Sequence, residues 1–578
     1  MKQLALTTKY LFLLIILISQ SGMLFAQTSV LEWVHALGGP QSDNGQAVAT
    51  DSQNNVYVTG TFSGTADFDP GTGTAYINSG AGSNVFIQKL SPDGNFIWAK
   101  VFPAGSSTII TSITIDPSDH VILGGRFTGT MVFPTVDSTS TISSPGQADA
   151  YIVKLNPGGQ FVWARSFGNP NDTDGDPDLI QALKTDASGN IYSTGHFYGA
   201  ADFDPSNMGA VIVTATGSNK DIFIQKLSPG GDFIWVEKIG GGDTEESVSM
   251  SINQNTLLLT GWFRQTVDFD PSASITSLSS QGYADIFLLS LTTDGDFNQV
   301  NQFGSVFNDK GVDLTTDPNG AIYLTGIFDA EIDLDPGTGT NYVTPAGGTD
   351  FFILKLTPSA DFSWAKTFPG TYYKYSQSMA YHPDNGIVVT GIFGDSVYFD
   401  PGNPAGSFSS ILEDIFLVYL DQDGNYIWAG TYGHQGVLDH DYVSGIAVDN
   451  LGGIYSTGLF VGDVDFDCGP GVEILSPSGP SDVYIQKLNG SILSLTSHSP
   501  DDFKLYPNPA SQQLFISAAS LNNCRITIYN SLGMIVLEKE LSGTDSQLDI
   551  QNLSPGSYVV NLTNESGSRH QKMVKSMD

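Results

Sequence analysis

The sequence predicts an all-β chain: a seven-bladed β-propeller followed by a small β-sandwich. Three observations carry this expectation. A glycine recurs at Gly60, Gly125, Gly195, Gly261, Gly326, Gly391 and Gly458, at intervals of 65 to 70 residues. A phenylalanine always follows two residues later, from Phe62 to Phe460, and a Phe or Leu eight residues later, from Phe68 to Phe466. Each period carries four short apolar segments separated by turn residues, with no helical periodicity. Fixed-period self-similarity with four strands per unit is the mark of a propeller.

The elements follow in order. The first strand of a period ends at an acid, as in AVATD at 47–51. A polar turn leads to the second strand, NVYVTGTF at 55–62. Then come DFDPG at 67–71 and an insert of similar length each time. The third strand reads Asp-apolar-aromatic-apolar, as in DIFIQKL at 221–227 and DFFILKL at 350–356. A turn such as PDGN at 92–95 leads to the fourth strand, FIWAKVF at 96–102. Asp-Gly between alternating apolar residues is a strong hairpin signal.

Trp98, Trp163, Trp235, Trp364 and Trp428 mark the fourth strand of blades one, two, three, five and six, and blade four has Gln299 there. Blade seven ends at DVYIQKLNG without a fourth strand. LEWVHAL at 31–37 supplies the missing copy, with Trp33 in the tryptophan position. The expected ring is closed by residues 31–38 pairing with 482–488, which leaves no open edge.

Composition bounds the rest. The chain has 578 residues, 40% of them hydrophobic, with 64 Gly and 28 Pro, a globular and turn-rich balance. Residues 1–26 read as a signal peptide: Lys2 and Lys9 form a basic start, Leu11 to Ile18 an apolar run too short to span, and Met23-Leu24-Phe25-Ala26 a cleavage site before Gln27. No later stretch is long and apolar enough to cross a bilayer. A formal net charge of −37 disfavours nucleic acid and anionic lipid and favours cations or basic partners. Cys468 and Cys524 fall in different expected domains, so no mutual disulfide is expected. CxxC, HExxH, GxSxG and P-loop motifs are absent.

The repeat reads D-x-x-G-N-x-Y-x-x-G, then an apolar-Lys-Leu strand and a Trp strand. It resembles the bacterial β-propeller repeat family called SBBP, over roughly 31–490. That resemblance implies a fold and an extracytoplasmic setting, not a reaction. The propeller is placed at 27–490. A Ser-rich linker follows at 491–502, and then a last domain at 503–578. Within it stand Tyr506-Pro507-Asn508-Pro509, RITIYNSLGMIV at 525–536, LDIQNLSPGSYVVNL at 548–562 and KMVK at 572–575. In order and spacing they resemble the type A C-terminal sorting domain of the type IX secretion system. The resemblance implies the type IX machinery as a partner through 503–578, export across an outer membrane, and removal of the domain. Release or attachment to surface lipopolysaccharide would follow, in a bacterium of the Bacteroidetes kind. Residues 503–578 hold six basic and six acidic side chains, so the acidity belongs to the propeller and its linker.

DFDPG returns in every blade but the second. Five copies carry the first acid (Asp67, Asp202, Asp268, Asp333, Asp465) and six the second (Asp69, Asp204, Asp270, Asp335, Asp400, Asp467). An Asp before Pro-Gly accepts its own backbone amides, so the motif reads first as a folding element. Paired carboxylates can also help hold calcium. The sharper calcium candidate is NDTDGDPDL at 171–179, where Asp172, Asp174, Asp176 and Asp178 alternate. Gly175, and Leu183 at the twelfth position, depart from the EF-hand pattern. Asp439-His440-Asp441 is a weaker metal candidate. The function expected is an exported surface or secreted propeller that binds a glycan or protein ligand, or acts as a scaffold. The alternative is a secreted propeller enzyme, a hydrolase or lyase acting on polysaccharide. Such an enzyme needs one blade to break the repeat with a cluster of acid, base and Arg or Tyr, and no blade stands out in this way.

Overall fold

The computed structural model describes residues 30–489 and 504–576, except 104–107, 136–137, 169–176, 207–208, 401–406, 411–412, 434–439, 470, 507–509, 518–523, 530–534, 542–544, 555 and 565–566. No described residue is helical. The chain separates into two compact units, Met1–Ser491 and Ile492–Asp578.

In the first unit, seven main antiparallel sheets follow one another, one per repeat; six have four strands, and that of blade three is extended to six by Thr266–Asp268 and Ser277–Ser279. Blade one is Asn44–Thr50, Val56–Asp67, Tyr76–Leu90 and Phe96–Phe102. The first strands of the other blades are Ile109–Ile115, Leu179–Thr185, Glu245–Asn253, Lys310–Thr316, Lys374–His382 and Tyr442–Val448. Each packs on the first strand of the next blade, and Tyr442–Val448 packs on Asn44–Thr50. The first strands therefore form a closed ring about the axis. Blade seven borrows its fourth strand from the start of the chain: Val30–Leu37 pairs antiparallel with Asp482–Asn489, with Trp33 opposite Lys487 and Leu37 opposite Val483. The propeller closes as the sequence predicts.

The repeated residues have repeated tasks. The fourth-strand indole of one blade donates to a turn carbonyl of the next: Trp33 Nε1 to Pro92 O at 3.0 Å, Trp98 to Pro157 O at 3.2 Å, Trp163 to Pro229 O at 3.2 Å and Trp364 to Gln422 O at 3.0 Å. Third-strand lysines converge on the same carbonyls, Lys487 on Pro92 O, Lys154 on Pro229 O and Lys355 on Gln422 O. In blade four, Gln299 takes over the tryptophan's bond, its Nε2 standing 3.3 Å from Ser359 O. The hairpin glycine under each ring is required twice over. Gly94, Gly159 and Gly231 have φ of 79°, 75° and 80°. A Cβ on Gly159 or Gly231 would also stand 3.0 Å from the indole of the preceding blade.

The second unit has two sheets. One joins Lys504–Tyr506, Gln513–Ser517 and Asp545–Asp549; the other joins Ile535–Leu541, Cys524–Tyr529, Gly556–Asn564 and Gly567–Lys575. Leu514, Ile516, Ile526, Ile528, Val560 and Met573 are buried in one cluster, the core of a small β-sandwich. Cys468 and Cys524 are not joined in a disulfide.

Candidate functional site

The acidic turns are built into the fold. Asp67 Oδ1 accepts the amides of Asp69 at 3.1 Å and Ala75 at 2.7 Å. The same two bonds recur at Asp202, Asp268, Asp333 and Asp465. The second acid accepts the amide two residues on, as Asp69 does from Gly71 and Asp335 from Gly337. The residue between the acids is buried in every copy, from Phe68 to Phe466. Its carbonyl accepts a third-strand amide side chain in three blades, for example Gln225 Nε2 to Phe203 O at 2.7 Å. In blades three to seven the turn closes a second, smaller hairpin, such as Ala200–Asp202 with Ile212–Thr214. These carboxylates organise the inserts.

Of the calcium candidates, Asp172, Asp174 and Asp176 lie outside the described residues. Asp178 is buried, and its Oδ1 accepts the Tyr198 amide at 3.0 Å. Asp439 also lies outside. Asp441 is buried and accepts the Val461 amide at 2.9 Å, while His440 Nδ1 stands 2.7 Å from Glu413 Oε2. Among the described residues, no group of three or more His, Cys, Asp or Glu side chains is placed to hold a metal ion.

At the end of the propeller opposite the inserts, a cavity of about 410 Å³ opens among Asp51, Asp116, Asp119 and Asp186. Lys89 Nζ is 3.0 Å from Asp51, and Lys154 Nζ is 2.8 Å from Asp116. Burial pushes the Asp51 carboxyl up, but Asn55 and Lys89 outweigh it and hold it below the usual carboxylate range. An acid held ionised in this way makes a poor proton donor near neutrality.

The repeat breaks at the insert end. The residue after each repeat glycine is Thr61, Arg126, His196, Trp262, Ile327, Ile392 or Leu459. Blades two, three and four thus place Arg, His and Trp in succession at one level. Around the buried Trp262 ring stand Lys310 Nζ at 4.7 Å, the Arg264 guanidinium at 5.4 Å and Lys220 Nζ at 5.8 Å from the centroid. Lys220 pairs with Glu246. Arg126 Nε, Arg264 Nε and His196 Nδ1 are buried without a hydrogen-bond partner. Burial, then the charges of Lys220 and Arg126, push His196 down to about 3, so it is neutral here. Burial and Arg264 also lower the Lys310 ammonium. Positive charge therefore concentrates around one aromatic plane in a chain of net charge −37. Such an arrangement can grip a carboxylate or sulfate beside a stacking face. The cluster is shared among neighbouring blades and is not built within one, so a search for a single divergent blade passes over it; the residue after the glycine is its signal in the sequence.

Residues 504–576 match the family model of the secretion system C-terminal sorting domain. The second unit is a type IX sorting domain. Residues 32–65 match the beta-propeller repeat. The molecule is thus a type IX-sorted propeller protein, marked for export and for cell-surface attachment or secretion. No described helix is long and apolar enough to cross a membrane. An uncharacterised WD repeat-containing protein of Acanthamoeba polyphaga mimivirus is 24% identical over 529 residues, 77% of this chain and 37% of that protein. The chain thus spans little more than a third of that relative. An endo-acting ulvan lyase of Formosa agariphila is 29% identical over 74 residues, covering 13% of this chain and 14% of the lyase. Among solved structures, PorZ of Porphyromonas gingivalis, a surface component of the type IX secretion system, is 11% identical, with 94% of this chain and 100% of that chain covered and a TM-score of 0.18.

Proposed function

We propose that the exported propeller is a binding module for an acidic ligand, a carboxylated or sulfated glycan, seated over Trp262. The observation that supports this is the cluster of Lys220, Arg264 and Lys310 around one indole, with orphaned donors on Arg126 and Arg264. Unpaired buried guanidinium donors are costly, and an anion that accepts from them recovers that cost.

Affinity electrophoresis of the full chain through gels containing a sulfated, a uronate-rich or a neutral polysaccharide tests the reading. The acidic gels should retard the protein, less so as NaCl is raised. Trp262→Ala and Lys310→Gln should each weaken retardation about tenfold, the loss of one strong contact. Equal retardation by the neutral polymer, or indifference to both substitutions, would sink the proposal. Depolymerisation of the gel polymer would turn the reading to the polysaccharide-degrading enzyme.

A further inference from the structure

Two positions recur at the insert end of each blade junction. One is the first residue of a third strand; the other stands at the entry to the first strand of the next blade. At five junctions both are acids: Asp149 with Asp178, Asp221 with Glu245, Asp285 with Asp309, Asp414 with Asp441 and Asp482 with Asp43. All ten side chains are buried. At the sixth junction Asp350 meets Lys374, whose Nζ lies 2.5 Å from its Oδ1. The seventh junction has Asn84 and Thr108, with no acid at all.

A third position changes in step. The residue leaving the fourth strand is Gly38, Gly168, Gly240, Gly304 or Gly433 at the five acid pairs, and Pro103 or Pro369 at the other two. A Cβ on Gly38 would stand 2.4 Å from Asp482 Oδ1 and 2.8 Å from Asp43 Oδ2. On Gly168 it would stand 2.5 Å from Asp149 Oδ1 and 2.7 Å from Asp178 Oδ2. Glycine leaves the room that the two carboxylates fill.

Two buried carboxylates cannot both stay ionised without a counter-charge. Lys374 provides one at its own junction. Backbone amides help elsewhere: Asp43 accepts those of Gly39 and Ser63, and Asp309 those of Ser305 and Asp329. At the Asp221–Glu245 junction this support reaches only Asp221, whose Oδ2 accepts the Thr216 amide at 2.8 Å. Both residues are fully buried. Asp221 Oδ1 and both Glu245 oxygens have no hydrogen-bond partner beyond a weak approach of Glu245 to the Gly241 amide. Ser247 Oγ, on the same face of the strand, is buried and unpartnered too. The charged groups nearby offset each other. Lys238 Nζ lies 3.3 Å from Asp221 Oδ2 but is bound to Thr214 O and Thr216 Oγ1, and Asp243 adds a negative charge. Burial, and then Asp221, push Glu245 up to about 9.

We propose that the Asp221–Glu245 junction is a calcium site, in which the ion takes the place that the Lys374 ammonium holds between blades five and six. The donors are all hard oxygens. Calcium accepts irregular sets of carboxylate, hydroxyl and backbone carbonyl oxygens, whereas magnesium demands near-octahedral geometry and keeps several waters.

The test uses the full chain, stripped with EDTA and desalted. One equivalent of calcium per chain should be retained at this site after re-addition and desalting, measured by mass spectrometry of the metal. Millimolar CaCl2 should raise the melting temperature by about 2–4 °C over NaCl of matched ionic strength. Glu245→Gln should bind one calcium fewer and lose that increment. Its metal-free melting temperature should equal or exceed the parent's, because the buried charge is gone; this separates a lost site from a lost fold. Calcium acting like matched NaCl on the parent, with none retained, would leave a shared proton as the occupant and overturn the proposal. A calcium response that survives Glu245→Gln but vanishes in Asp174→Ala/Asp176→Ala would place the ion in the acidic loop and overturn it as well.

Discussion

Replacing Trp33 by alanine should loosen the ring at its single non-covalent seam. The indole is half-buried, stacks on His35 at 5.0 Å, tilts against Tyr455 at 6.0 Å and donates to Pro92 O at 3.0 Å. Half the burial of a tryptophan is about 100 Å² of apolar surface, or about 2.5 kcal/mol, and the hydrogen bond adds about 1 kcal/mol. The expected cost is therefore about 3.5 kcal/mol, and Trp33→Phe should cost only about 1 kcal/mol, the bond alone. Hydrogen exchange is the suitable assay, because a multi-blade chain need not unfold in one step. Asp482–Asn489 lies between Val30–Leu37 and Gly453–Phe460. Only alternate amides of that strand point to the seam. Those amides should exchange about 300-fold faster in Trp33→Ala, while the amides facing Gly453–Phe460 stay protected. The equivalent change in mid-chain, Trp98→Ala, should leave the seam untouched. Uniform exchange along Asp482–Asn489, or the same effect from Trp98→Ala, would refute the reasoning.

Three further outcomes are expected. Asp268→Ala removes the acceptor of the Asp270 and Thr276 amides and should cost about 2 kcal/mol by chemical denaturation, without changing any calcium response. His196 is held neutral, with its value pushed down by burial to about 3, so its contribution is intact above the unfolded value near 6.5 and is lost as pH falls toward 3. Relative to His196→Gln, the parent should lose about 2–3 kcal/mol between pH 6.5 and 4.5, and a flat difference would contradict the burial argument. Deleting 504–578 should leave exchange in 30–489 unchanged and stop the chain short of the cell surface, as fractionation would show; normal surface delivery would contradict it.

The blade was legible because its residues repeat within one period. Gly60, Phe62 and Trp98 have counterparts at fixed distance, and the empty Trp slot of blade seven pointed to Trp33. The second hairpins were read only as turns. Strands of two or three residues, such as Ile332–Asp333, are too short for alternation to appear. The junction pairs escaped because their partners lie in different periods, and Asp482 meets Asp43 only once the ring has closed. The Trp262 cluster escaped for the opposite reason: a search for sameness passes over Arg126, His196 and Trp262, which matter because they differ from Thr61 and Ile327.

The seam has a mechanical meaning. The chain leaves the propeller at Asn489, the end of a strand held on both sides, by Val30–Leu37 and by Gly453–Phe460. Any tension on the sorting domain or on what it is tethered to is delivered to that strand along its length. Extracting it means sliding two ladders at once, so that many bonds share the load, instead of peeling one ladder bond by bond. A closing strand donated from the far end of the chain turns the weakest point of a ring into a clamped one.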